Sequence, residues 1–445
     1  MGGRTTHFAI ALVALAMGLL AAPAAQGARS EFYGIAQNSP DGNDILGMAG
    51  AKVRTDRYPF VWNQIEPSKG SFTWDDTDQL VGTLAAFSIR TAPFVWGAPG
   101  WAGTGGLQRP PVSVSARSAW QTFLKAAVAR YGPGGSYWAP GGPYHQTFGA
   151  GATALPITSW QIWNEPNLKA FYPGSTYKQK AARYGQLVQS SHDAIKAKDS
   201  KAQIVLAGIT TQKDPDVYNF LNSFYAVRHI KDDFDAVAQH PYASSDAKIK
   251  TAINHVRSVM ASHGDKATPL WITEFAWGSG PTDSAGINKG SQAGQATALT
   301  NSYKMLLSNR TAWNLQRVYW FLWRDPLSAS GCTFCGTAGL LNYDHTHKLA
   351  YNAFTAFSMD STAPQATITA GPSGATTDST PTFSFKSSEA GSTFQCHFDG
   401  KPFASCASPY TPGSALSKGN HIFYVKAIDA AGNESAVKSR SFKVS

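Results

Sequence analysis

An α/β chain is predicted, a (β/α)8 TIM barrel followed by a small all-β sandwich. Three features predict it. Between Glu31 and Asp360, eight apolar runs of four to seven residues alternate with amphipathic helical patterns. Two of those runs carry a glutamate at or just beyond their C-terminal end, and beyond Ser361–Pro364 the pattern changes to the two-residue alternation of short strands. Apolar runs suit strands buried on both faces. Eight of them alternating with helices over about 330 residues point to a barrel, with a doubly wound open sheet as the lesser alternative.

The runs are Phe32–Ala36, Ala51–Thr55, Thr91–Trp96, Trp160–Trp163, Ala202–Gly208, Phe234–Gln239, Leu270–Phe275 and Arg317–Leu322. Helical patterns cover Asp75–Phe87, Ser115–Tyr131, Tyr177–Lys198, Val217–Tyr225, Ala247–Ser262, Gln292–Leu307 and His347–Phe357. The first connection is the poorest, with only Asp44–Gly50 available for a helix. After the linker, Thr382–Lys386, Phe394–Phe398, Ile422–Ala427 and Ser439–Val444 read as strands separated by Gly, Pro and Asp turns. The expected division is residues 29–360 for the barrel and 361–445 for the sandwich.

Residues 1–28 read as a secretory signal, with Arg4 in a positive n-region, Phe8–Leu20 as the apolar segment and Ala21–Ala28 as a small-residue cleavage zone. An apolar core of about 13 residues is short of the roughly 20 that cross a bilayer, so a leader cleaved within 22–28 is expected rather than an anchor. The mature protein is then secreted, extracellular or cell-wall associated, with no integral membrane segment. Cysteine usage agrees. Cys332 with Cys335 and Cys396 with Cys406 form two close pairs, which in an exported chain read as local disulfides. Cys332 and Cys335 lack a second thiol or histidine pair at ligand spacing and lie in a Gly/Ser/Thr loop, against both a zinc site and a redox helix.

The 445 residues carry 38 Lys plus Arg against 28 Asp plus Glu, a net +10, but the basic residues are scattered. Scattered charge does not make a nucleic-acid stripe. With 43% hydrophobic and 15% charged residues, the chain is also too apolar for disorder. Its 13 Trp suggest flat faces for sugar rings as well as core packing. There is no His-Glu-x-x-His, no phosphate-cradling Gly-x-x-x-x-Gly-Lys, no Gly-x-Ser-x-Gly elbow and no dinucleotide fingerprint, so neither cofactor nor metal is expected.

The informative residues are at strand ends. One run closes Trp160-Gln161-Ile162-Trp163-Asn164-Glu165-Pro166-Asn167, another Trp271-Ile272-Thr273-Glu274-Phe275-Ala276-Trp277. A charge at the C-terminal end of an otherwise apolar barrel strand has no packing reason to be there, and that end is where barrel enzymes carry their chemistry. Two such glutamates, each flanked by Trp, read as a carboxylate pair rather than as ordinary rim charges. Hydrolysis of a glycosidic bond needs one carboxyl to protonate the leaving oxygen and a second to attack or stabilise the anomeric carbon.

Trp-Asn-Glu-Pro-Asn followed by Trp-Ile-Thr-Glu-Phe resembles the clan A retaining glycoside hydrolases, most of all family 39, with family 5 as near neighbour. Further matches are Val53-Arg54-Thr55-Asp56 leading to Trp62-Asn63-Gln64-Ile65-Glu66-Pro67, then His240-Pro241-Tyr242, and Tyr319-Trp320-Phe321. The resemblance covers about Tyr33 to Phe357. It implies a poly- or oligosaccharide substrate, Glu165 as general acid/base, Glu274 as nucleophile and Asn164 as the residue that holds the sugar 2-hydroxyl. The segment from Phe394 through Gly432-Asn433 is similar to the immunoglobulin-like modules of bacterial exported proteins, which implies a spacer or adhesive role.

Glu274 must be held ionised by donors, and Arg54 and Tyr242 are the candidates. Arg54 is read this way rather than as a barrel-bottom ion pair because it lies near the end of the second run. His240 reads either as a satisfied core histidine or as a residue that contacts the sugar or positions Glu274. Trp320 is expected to form the apolar floor under the reacting sugar, as the resemblance implies. Trp96, Trp101, Trp163, Trp277 and Trp323 are candidate stacking platforms, about half of them expected to be buried packing. The expectation is a monomeric retaining glycosidase. Its rivals are a non-catalytic wall-associated carbohydrate-binding protein on the same scaffold and an arabinofuranosidase of the same clan.

Overall fold

The computed structural model describes residues 31–445 apart from 104–105, 107–108, 173, 175, 212–216 and 329–331, so the expected leader lies outside the described residues. Parallel strands β1 (Tyr33–Ile35), β2 (Thr55–Val61), β3 (Arg90–Trp96), β4 (Ser159–Ile162), β5 (Gln203–Leu206), β6 (Ile209–Thr210), β7 (Val237–His240), β8 (Leu270–Phe275) and β9 (Leu315–Trp320) form one curled sheet. Their order is β5-β4-β3-β2-β1-β9-β8-β7-β6. β5 and β6 make one stave broken at Ala207 and Gly208. Glycine is needed at 208, because a Cβ there would stand 2.0 Å from the His240 ring. The sheet's ends meet through Leu206 N donating to Ala236 O at 2.9 Å and Asp235 N to Ile204 O at 2.8 Å. The result is the TIM-like barrel with helices outside.

Those helices are α1 (Gly42–Gly50), α2 (Trp62–Ile65), α3 (Asp75–Ala86), α4 (Val114–Tyr131), α5 (Pro143–Phe148), α6 (Tyr177–Lys196), α7 (Val217–Tyr225), α8 (Asp246–Ser262), α9 (Gln292–Asn309) and α10 (Leu349–Ser358). Four of the long ones start where a hydroxyl accepts a free backbone N–H: Ser113 from Ala116, Thr176 from Gln179, Ser245 from Lys248 and Ser291 from Gly294. The poorly patterned first connection does form a helix. There Asp41 and Asp44 close a reciprocal capping box that compensates for its shortness.

The second strand departs most from expectation. Ala51 N bonds Gly47 O and Val53 N bonds Met48 O, so Ala51–Val53 ends α1 and the strand begins at Thr55. Its run contains Arg57 and Pro59, which break the apolar pattern by which strands are recognised. β9 likewise starts two residues before the expected Arg317. On β9 the strand period decides what each side chain meets. Val318 and Trp320 face the helical layer, whereas Tyr319 joins Ala92, Ala238 and Trp271 inside the barrel, with Phe321 packed beside them.

After the barrel come β10 (Ala366–Ala370), β11 (Ala375–Thr376), β12 (Ser384–Ser387), β13 (Thr393–Phe398), β14 (Ala404–Cys406), β15 (Gly419–Ile428) and β16 (Lys438–Val444). They form a pair, β10-β12, and a five-stranded sheet, β11-β16-β15-β13-β14, around Phe383, Phe385, Phe398, Phe423, Val425 and Phe442. β10, β11 and β14 were not expected; two are only two or three residues long and the third, Ala-Thr-Ile-Thr-Ala, has one large apolar residue. Both cysteine pairs are joined, Cys332 to Cys335 and Cys396 to Cys406. No helix among the described residues is long and apolar enough to cross a membrane.

The Cys396–Cys406 bridge ties β13 to its edge partner β14. Closing a loop of that size contributes about 3 kcal/mol by chain entropy. The double replacement Cys396→Ser/Cys406→Ser is expected to lower the sandwich's unfolding midpoint in calorimetry and leave the barrel transition in place; an unmoved sandwich transition would show that the bridge does not stabilise it.

Candidate active site

The chain leaves β4 at Ile162 and turns sharply. Trp163 (φ 72°) and Glu165 (φ 40°) both occupy the left-handed region, which non-glycine residues avoid and which costs of order 1–3 kcal/mol each. The turn is held at Trp163, whose N donates to Val95 O at 2.9 Å and whose Nε1 donates to Phe171 O at 2.8 Å. Glu165 O accepts from Leu168 N at 3.0 Å. Across the barrel, Glu274 is the penultimate residue of β8. A carboxylate oxygen of Glu165, one of Glu274 and a ring nitrogen of His240 all lie within 4.8 Å of one another. Both glutamate side chains are 13% exposed, and His240 is fully buried.

The two carboxylates have different surroundings. Glu274 Oε1 accepts from Arg57 Nη1 at 2.7 Å and Oε2 from the Tyr242 hydroxyl at 3.0 Å. Burial alone would raise the Glu274 carboxyl. The charges of His240 and Arg57, with the hydrogen bonds from Tyr242 and Arg57, outweigh it and hold this carboxyl below the ordinary range. Burial and the two nearby carboxylates raise the Tyr242 hydroxyl well above its usual value, so it stays a donor. Glu165 Oε1 instead meets His240 Nδ1 at 3.0 Å, and His240 Nε2 meets Thr273 Oγ1 at 3.0 Å.

Arg57 organises this cluster. Besides Glu274, its Nε donates to Gln161 Oε1 at 2.5 Å and its Nη2 to Asn164 Oδ1 at 2.9 Å. Its guanidinium lies 3.9 Å above the centre of the Phe94 ring. Gln161 is itself fixed, donating to Leu206 O at 2.9 Å and Thr273 Oγ1 at 3.2 Å. The fork therefore ties β2, the end of β4 and β8 into one unit.

Of the residues expected at the site, Glu165, Glu274, Asn164, His240 and Tyr242 are brought together. Arg54 is not among them. It precedes β2, where its carbonyl accepts from Arg90 N, at the opposite end of the strand from the carboxylates; Arg57, three residues further on, stands where Arg54 was expected. Trp320 is also corrected. Its side chain faces outward, with Nε1 bonded to Ala338 O at 3.0 Å and its ring 5.1 Å from Phe275, and Phe321 is the neighbour on the inner side. Trp163, Trp277 and Trp323 are fully buried, whereas Trp96 and Trp101 are partly exposed. Trp96 ends β3 at the mouth, and its Nε1 is buried without a partner.

Sequence reasoning missed Arg57, Gln161 and Thr273. Their signal was a polar residue inside each apolar strand, a position where the side chain must be satisfied by other buried groups. By spacing alone, Glu165, His240 and Glu274 could ligate a cation. Glu274 already has a guanidinium and a phenol on its two oxygens, which disfavours one.

Residues 151–346 match the family model described as "Glycosyl hydrolase catalytic core". Among proteins of curated function none matches the chain. Solved structures share the fold. A family 39 glycoside hydrolase from Bacteroides cellulosilyticus aligns with TM-score 0.57 at 14% identity, over 94% of this chain and 79% of its own. A monomeric beta-xylosidase from Caulobacter crescentus aligns at 0.54 and 14%, over 89% and 74%. A family 39 enzyme from Xanthomonas axonopodis aligns at 0.54 and 17%, over 90% and 73%. Residues 151–346 thus match a glycosyl hydrolase catalytic core, and the chain shares the fold of those solved enzymes.

Because Glu274 is held below its unfolded value, its stabilising contribution is present above the ordinary carboxylate range and lost as pH falls through the lowered folded value. Arg57→Ala leaves a buried carboxylate without its cation, a loss on the order of 3–5 kcal/mol. The variant is expected to unfold at lower temperature, and carboxyl NMR is expected to find Glu274 titrating at higher pH. A Glu274 titration that does not move would remove Arg57 from this role.

Proposed function

We propose that the chain is a secreted retaining β-glycosidase that cleaves a poly- or oligosaccharide by double displacement. The observation that carries this reading is the approach of the Glu165 and Glu274 oxygens to within 4.8 Å. Carboxyl groups about 5–5.5 Å apart allow direct attack, whereas inversion needs room for a water between them. The unequal surroundings support the division of labour. Glu274, kept ionised by Arg57 and Tyr242, is the nucleophile; Glu165, which has a histidine rather than an arginine beside it, is the acid/base.

In the first step a Glu274 oxygen bonds the anomeric carbon as the glycosidic C–O bond breaks, and the Glu165 proton passes to the departing oxygen. In the second, water gives a proton to Glu165 and bonds the anomeric carbon, and Glu274 leaves as carboxylate. Asn164, its Oδ1 committed to Arg57, offers its amide N–H groups to the sugar 2-hydroxyl. Trp96 offers a ring face and an unpaired N–H. The leader at residues 1–28 and the two disulfides support export.

Glu165→Ala and Glu274→Ala are each expected to abolish hydrolysis of an accepted glycoside found in a screen of chromogenic substrates. Azide is expected to rescue the two variants with opposite product anomers, and full activity in either would defeat the assignment. Trp96→Phe keeps the ring and removes one donor, so KM is expected to rise roughly 3- to 10-fold with kcat little changed, the size of one neutral hydrogen bond. An unchanged KM would place Trp96 outside the sugar subsites.

A further inference from the structure

A second group of acids lies far along the chain from Glu165 and Glu274, where the sandwich meets the barrel. Asp360 follows α10, Glu389 lies between β12 and β13, and Asp429 follows β15. One carboxylate oxygen from each lies within 4.8 Å of the other two. The contact around them is substantial. Ala430 is buried in the barrel's own core cluster, Asn433 Nδ2 donates to Asp360 O at 3.0 Å, and Arg310 Nη1 donates to Gly391 O at 3.0 Å. Gly391 sits so close that a Cβ there would meet Leu307 O at 2.9 Å.

Three like charges at a partly buried junction oppose docking unless something compensates them. Among the described residues, no lysine, arginine or histidine pairs with any of the three carboxylates. Arg310, whose charge reaches Asp429 and Tyr33, lies 4.3 Å over the Phe32 ring and donates to Gly391 O rather than to a carboxylate. Asp429 is fixed in shape, its oxygens accepting from Gly432 N, Asn433 N and Asn433 Nδ2. Asp360 Oδ1 accepts from Thr362 N. The Glu389 carboxylate has no hydrogen-bond partner among the described residues.

Independent of the acids themselves, Tyr33 points to a ligand. It is 5% exposed, and its hydroxyl has no hydrogen-bond partner among the described residues. With Asp360, Glu389, Lys304 and Phe357 it lines a cleft of about 360 Å³. Burial pushes this hydroxyl up; Arg310 opposes, and the charges of Asp429, Glu389 and Asp360 add to the rise. A tyrosine on the cleft that Asp360 and Glu389 also line adds a phenol oxygen to the three carboxylates.

We propose that Asp360, Glu389 and Asp429, with the Tyr33 hydroxyl, bind a calcium-type divalent cation that clamps the sandwich to the barrel. Three carboxylates and a phenol are an all-oxygen donor set for a hard cation, and the flexible shell of calcium accepts such irregularly placed donors more readily than the near-ideal octahedron that magnesium demands. The cleft leaves room for the waters that complete a six- to eight-fold shell.

The test uses the full-length protein stripped with a chelator at pH 8. Calcium chloride is expected to give a single binding event in calorimetry and to raise the unfolding midpoint by roughly 3–6 °C at a hundredfold excess over Kd. It is also expected to slow proteolysis in the linker 361–364, with magnesium binding at least about tenfold more weakly. Both calcium effects are expected to be absent in Glu389→Gln, a variant that loses no hydrogen bond within the chain. No binding heat and no midpoint shift up to about 10 mM calcium would overturn the proposal, that being above the range of weak extracellular sites. So would a calcium response that survives Glu389→Gln. None of these readouts depends on glycosidase activity.

Discussion

The Arg57 guanidinium is the constraint on which the site depends. It is 2% exposed, and it exists there only because three acceptors from two other strand ends converge on its fork: Gln161 Oε1, Asn164 Oδ1 and Glu274 Oε1. A buried arginine with fewer partners would carry a large desolvation cost. The fork geometry also fixes distances, since a planar group with donors on three nitrogens positions all its acceptors at once. The position of Glu274 and the orientation of Asn164 are thus consequences of one ion. Gln161 connects that ion to Thr273, and Thr273 to His240, so the histidine beside Glu165 belongs to the same network.

Much of this was legible in the sequence because of where chemistry must sit in a barrel. The two glutamates close apolar strands, and the structure joins them within 4.8 Å although 109 positions separate Glu165 from Glu274. What was not legible was which side of a strand a residue faces, and that depends on register. Reading the second strand as Ala51–Thr55 rather than Thr55–Val61 placed Arg54 at a functional end that it does not occupy. The error has a physical source. An apolar run marks a strand only when its inward residues are apolar as well, and here the inward residue was the charged Arg57. The residue that matters most to the site was therefore the one that hid its own strand.

Trp320 makes the same point through parity. Tyr319, Trp320 and Phe321 are consecutive aromatics, and hydrophobicity cannot say which of them faces the barrel axis. A single-residue shift exchanges the two faces. Hydrogen bonding decides it: Trp320 has an indole N–H that needs a partner when buried, and Ala338 O in the outer layer supplies one. Phe321 has no such requirement and can pack over the mixed interior. Trp163 and Trp277 follow the same rule, their N–H groups bonded to Phe171 O and Ser302 Oγ in the packing layer. Trp96, Trp160 and Trp323 depart from it, their N–H groups buried without a partner, and of these Trp96 alone is at the end of β3.

The two acidic clusters show how one kind of group acquires opposite character. Glu274 is the more deeply enclosed of the two key acids, so desolvation alone would leave it protonated at higher pH than Glu389. The reverse holds: Glu274 is lowered and Glu389 is raised to about 7. The difference is the sign of the nearest charge. Arg57 contacts Glu274 directly, whereas the neighbours of Glu389 are Asp360 and Asp429, and Arg310 is turned toward Phe32 and Gly391. At short range a charged partner outweighs burial, because its Coulomb interaction strengthens in the low-dielectric surroundings that cause the desolvation. A chain that supplies the cation from its own arginine in the barrel, and withholds it at the junction, leaves the junction's electrostatics to be completed from solution.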